Sequence, residues 1–112
     1  MHDVLPIRRL YRLLRRTPPT VADFVSNAAH GRPAPPAADL VILWDGLSMY
    51  ATEAQARATA DAYPRRGWRA VAAVALPDGG RFRIRKTLGP GHYTVWGDAA
   101  DLLACVIEYT PL

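Results

Sequence analysis

The chain has 112 residues, half of them apolar and 21% charged, with a formal net charge of +4. This balance excludes a chain too polar to fold and leaves room for one domain, residues 1–112, with an ordinary core. Cys105 is the one cysteine, which excludes an internal disulfide, and no apolar run nears the ~20 residues that span a bilayer or resembles a secretory signal, so a cytoplasmic location with no membrane partner is expected.

The basic charge is unevenly built: of 14 Lys and Arg residues, all but Lys86 are arginine. A guanidinium offers a planar fork suited to phosphate and carboxylate. The expected partners are therefore an anionic ligand such as a nucleotide, an acidic protein, or nucleic acid. The competing reading is ordinary solvated surface charge.

In chain order, "PIRRLYRLLRR", residues 6–16, places Ile7, Leu10, Tyr11, Leu13 and Leu14 on one side of a helical wheel and the arginines on the other. Long arginine stems tolerate a strand there as well, and a helical turn at 4–8 followed by a strand at 10–15 is expected. Thr20 with Asp23 reads as a capping box, and Val21, Phe24, Val25 and Ala28 recur on one face, which predicts a helix over 21–30 ended by Gly31. Residues 32–39 form a proline-rich loop, and "LVILW", 40–44, fits either a helical turn or a short strand.

Leu47 to Ala51 fits a short strand, Thr52 with Gln55 makes a second capping box, and an alanine-rich helix runs to Tyr63, stopped by Pro64 and Gly67. "WRAVAAVALPDGGRFRIRKT" reads as a hairpin whose second strand alternates Arg81, Arg83 and Arg85 against Phe82 and Ile84. "LGPGH" is a turn, "YTVW" a strand, Asp98 and Asp101 open a short helix, and a strand from Ala104 to Tyr109 follows. Recurring strands with short helices predict an α+β fold with a small, mainly antiparallel sheet and two to four short helices.

Chemistry is sparse. His2, His30, His92 and Cys105 fall at no metal-ligand spacing, and Ser48 in "DGLSM" lacks the strained turn of a hydrolase nucleophile, so no metal site is expected. "GPGHYTVWGD", 89–98, gathers His92, Tyr93 and Trp96, which could stack on or hydrogen-bond a planar ligand, or simply fill a small core. Arg81, Arg83, Arg85 and Lys86, with Arg8 to Arg16, could form an anion-binding face, or blunt a strand edge.

The order of "LYRLLR", a helix, a proline-rich loop, "GLSMYAT" feeding "EAQARATADAY", and "WRAVAAVALP" resembles the ADP-ribosyltransferase-like fold, including its compact toxin and standalone bacterial branches. The resemblance covers most of the chain and rests on pattern. It implies an NAD-type nucleotide-binding domain, active or catalytically degenerate, with NAD as substrate rather than resident cofactor. Position by position, it implies that Arg12 is the first-strand Arg or His. Ser48 or Tyr50 takes the place of the hydroxyl residue before the helix, and Glu108, or His92, that of the later acid. The chain departs from the family in lacking a Glu-x-Glu or Gln-x-Glu pair near its C-terminal end. The alternative from a different class is a non-catalytic basic interaction module, which requires Arg8, Arg15, Arg16, Arg81, Arg83 and Arg85 on one continuous face.

Overall fold

The computed structural model describes residues 7–31, 33, 44–77 and 80–112. Six strands make one antiparallel sheet: β1 (Ile7–Leu14), β2 (Leu47–Tyr50), β3 (Ala70–Pro77), β4 (Arg83–Lys86), β5 (His92–Trp96) and β6 (Val106–Pro111). Two α-helices, α1 (Glu53–Ala62) and α2 (Ala99–Ala104), and two 3-10 turns, Val21–Phe24 and Pro64–Arg66, complete the described elements. The lateral order is β4-β5-β2-β1-β3-β6.

This is the α+β class and antiparallel sheet that strand recurrence predicts. The connectivity is less local than the sequence suggests. β3 does not pair with β4: it lies between β1 and β6, while β4 pairs with β5 at the far edge. The expected hairpin over residues 68–87 is therefore wrong. Burial explains it, since Ala70 to Val74 are buried on consecutive residues and need cover on both faces, whereas Arg83 and Arg85 are exposed and suit an edge. The turn between the two strands falls partly outside the described residues.

β1 is extended from Ile7, so residues 7 and 8 of the expected helical turn at 4–8 are strand, and the rest of that turn lies outside the described residues. An eight-rung ladder to β3, Ile7 opposite Pro77 through Leu14 opposite Ala70, overrides the helical spacing of its leucines. Alternation then sends Leu10 and Leu14 to one face and Tyr11 and Leu13 to the other. The larger core, on the first face, also holds Met49, Val74, Leu76 and Val95, covered by Leu102 of α2 and Phe24 of the first 3-10 turn. On the second face Ala56 and Ala60 of α1 pack against Leu13 and Val71. Small alanines let that helix approach the sheet closely.

The helix predicted over 21–30 is also corrected: helical geometry stops at Phe24, and Val25 is extended at φ −96° and ψ 130°. Tertiary anchoring overrides the local helical pattern, with Phe24 buried in the core and Asp23 tied to its neighbours. The Asp23 carboxylate accepts from the Thr20 N–H at 2.9 Å and the Thr20 hydroxyl at 3.2 Å, which is the acidic half of the expected box, but it also accepts from the Arg15 N–H at 3.2 Å. That third bond ties the turn to the end of β1, and Phe24 drops into the core as the chain leaves the helical path. The second box forms as read, with Gln55 N–H donating to Thr52 Oγ1 at 3.1 Å and Thr52 N–H to Gln55 Oε1 at 3.2 Å. Asp98 caps α2 by accepting from the Ala100 and Asp101 N–H groups. The segment 40–43 lies outside the described residues.

Gly46 leads into β2 where a side chain has no room: a Cβ would overlap the Thr94 methyl and come within 2.9 Å of the Trp96 indole. Gly46→Ala is expected to destabilise the fold by about 1–3 kcal/mol through this overpacking, read as a lower urea midpoint with an unchanged slope.

Candidate functional site

β1 and β2 are neighbours, yet their register contains one pair, Tyr11 opposite Tyr50. Beyond it the strands splay, and the Arg12 side chain bridges the gap. Its Nη1 donates to the Ser48 carbonyl at 2.9 Å and its Nε to the Asp23 carbonyl at 3.1 Å. A guanidinium thus supplies the donor that a backbone N–H of β1 would supply in a closed ladder. Burial lowers the Arg12 pKa from the ordinary arginine range to about 10, with Asp23 and Tyr50 opposing and Arg15 reinforcing the fall. Arg12 therefore stays charged at neutral pH.

The splay opens a cleft of about 390 Å³, within the usual range for small-molecule sites. Arg12, Ser48 and Tyr50 line it together, so the three residues singled out on β1 and β2 converge. Arg15, Arg16, Asp23, His30, Arg66 and Trp68 line it as well. Among the described residues four arginines and one carboxylate line it, and Asp23 has both oxygens engaged by Arg15 and Thr20. The Arg15 guanidinium lies 4.6 Å over the Trp68 ring, a cation–π contact. The Trp68 indole N–H is buried and has no acceptor among the described residues, an unusual state for a buried donor.

The remaining candidates lie elsewhere. His92 sits opposite Tyr50 on β5, its ring 5.4 Å from the Tyr50 ring in an edge-to-face contact, but it does not line the cleft. Its Nδ1 is 3.0 Å from Thr87 Oγ1, which in turn is 2.7 Å from Thr94 Oγ1. Tyr93 points to the opposite sheet face, packs on the larger core and carries Arg8 5.1 Å over its ring. Trp96 donates to Asp45 at 2.8 Å and lies beneath Arg83. Glu108 is on the edge strand β6, 62% exposed, and pairs with Arg9 at 2.7 Å.

Arginines elsewhere do not make the single face that the interaction-module reading needs. Arg8 lies over Tyr93 on one sheet face, Arg83 over Trp96 on the other, and Arg81 pairs with Asp101 at 3.2 Å. Burial raises the Cys105 thiol above its ordinary range, Arg81 opposing and Asp101 adding, which disfavours the thiolate. Among the described residues no group of three or more His, Cys, Asp or Glu gathers as a metal set, and no helix is long and apolar enough to cross a membrane.

Sequence reasoning missed Trp68, Arg66, Asp23 and the roles of Arg15 and Arg16. The pairing of a Trp with nearby arginines in "PRRGW" was the available signal. No family model, curated protein or solved structure matches the chain.

Two outcomes follow from this geometry. Arg12→Ala strips the Ser48 and Asp23 carbonyls of a charged donor and should cost about 1–3 kcal/mol in chemical denaturation, cleft water replacing part of the loss. His92 has its pKa lowered from 6.5 by burial, against the Thr87 backbone, so the fold favours its neutral form. The stability it contributes is full above pH 6.5 and is lost as pH falls through the lowered folded value. Thermal melts should show wild type losing more stability than His92→Gln on acidification below that point.

Proposed function

We infer that the β1–β2 cleft captures an NAD-type dinucleotide, as the ADP-ribosyltransferase-like resemblance implies. The observation that carries this reading is the joint lining of one cleft by Arg12, Ser48 and Tyr50, flanked by Arg15, Arg16, Arg66 and the Trp68 ring. A dinucleotide presents what such walls complement: a diphosphate for guanidinium forks, planar rings for an indole face and hydroxyls for Ser48. Arg12 is already held at two carbonyls, so it meets a ligand without first losing side-chain freedom.

Bond cleavage has weaker support. Glycosidic rupture at nicotinamide builds positive charge that a carboxylate steadies. Asp23 is occupied by its turn and Glu108 is turned to solvent with Arg9, so binding, with degenerate or slow turnover, is the activity favoured.

Calorimetric titration with NAD is expected to give one site, accompanied by a change in tryptophan emission. Arg12→Lys, which keeps charge and loses the fork, is expected to weaken binding roughly tenfold or more while retaining a native circular dichroism spectrum. Absence of heat and of an emission change at millimolar NAD removes the reading.

A further inference from the structure

We propose that the preferred ligand of this cleft carries a phosphomonoester on its adenosine ribose in addition to the diphosphate, so that an NADP-type dinucleotide is chosen over NAD. The proposal rests on the dinucleotide reading above and deepens it.

The first argument is the charge inventory of the walls. A dinucleotide diphosphate carries two negative charges, and Arg12 with one further guanidinium suffices to meet them. The cleft holds four: Arg12, Arg15, Arg16 and Arg66. Elsewhere Arg9, Arg57 and Arg81 are neutralised by Glu108, Glu53 and Asp101. Arg16 and Arg66 have no ion pair among the described residues, and the Arg66 guanidinium only stacks 4.6 Å over Tyr63. Arg16 and Arg66 thus add to the described walls two guanidiniums beyond Arg12 that no carboxylate among the described residues pairs.

The second argument is the absence of an open carboxylate among the described wall residues. Discrimination at an adenosine ribose follows a simple chemistry: a carboxylate accepts from the free 2′-hydroxyl, whereas an arginine accommodates a 2′-phosphate. Asp23, the one carboxylate in the described walls, is 6% exposed and has both oxygens taken by Arg15 and Thr20. A phosphomonoester, close to dianionic at neutral pH, reverses the demand from acceptor to donor. Arg16 and Arg66 meet that demand.

The third argument is placement. Arg15 and Arg16 follow β1 directly, and Arg66 and Trp68 precede β3, so the two pairs flank the Leu14–Ala70 rung that closes the β1–β3 ladder. An aromatic face and guanidiniums side by side suit a purine whose ribose bears a phosphate. Arg12 and Ser48 stand nearer the Tyr11–Tyr50 rung, which leaves them to meet the diphosphate and the second ribose.

The test compares NADP and NAD by calorimetry at one ionic strength, on wild type, Arg16→Gln and Arg66→Gln. NADP is expected to bind at least about tenfold more tightly than NAD to wild type. Each substitution should draw that ratio toward one while changing NAD affinity much less. Equal affinities in wild type, or a preference that survives both substitutions, overturns the phosphomonoester proposal and leaves the dinucleotide reading standing. Failure of both nucleotides to bind removes the reading on which the proposal rests.

Discussion

One guanidinium keeps the middle of the sheet open. Arg12 occupies the wedge where β1 and β2 part and satisfies carbonyls from two segments, Ser48 on β2 and Asp23 in the turn that follows β1. Without a long donor there, the splay would leave the Ser48 and Asp23 carbonyls to be met by cleft water in place of a charged donor. The same side chain creates the cleft and charges its wall. Because its anchor points are backbone atoms of fixed elements, the charge is presented from a rigid support, which favours tight recognition.

Asp23 plays the complementary part. By holding Thr20 and Arg15 together it fixes the turn against the end of β1, and that engagement withdraws its oxygens from the cleft. An acidic residue placed among arginines commonly cancels their field. Here it also organises the backbone, and its single charge offsets only part of that of the four arginines in the described walls. The paired arginines Arg9, Arg57 and Arg81 sit outside this region, whereas Arg16 and Arg66 in its described walls have no ion pair among the described residues.

Local signals were readable where local chemistry decides the outcome. The run from Leu47 through Thr52 to Tyr63 forms strand, cap and helix because the cap bonds lie within four residues of each other. The alternation of Arg83 and Arg85 with Ile84 and the Asp98 cap were legible for the same reason. Long-range pairing was not. The leucine spacing of β1 fits a helix as well as a strand, and the decision comes from a partner some sixty residues away in β3. Residues 25–30 do not continue the turn, since Phe24 enters the core and Val25 is extended, and β4 left β3 because its arginines need an edge. In the candidate site, Arg12, Ser48 and Tyr50 could be nominated from their strands, but Trp68 and Arg66 join them only through the fold. Tyr93 and His92, adjacent in sequence, part to opposite faces by strand alternation alone.

The single Tyr11–Tyr50 rung divides the sheet into two three-stranded panels, β4-β5-β2 and β1-β3-β6, each laced internally along several residues. Mechanical compliance concentrates at such a seam, since twisting one panel against the other disturbs fewer hydrogen bonds than deforming either. Cleft aperture and sheet twist are thereby one coordinate, with the two tyrosines as its pivot.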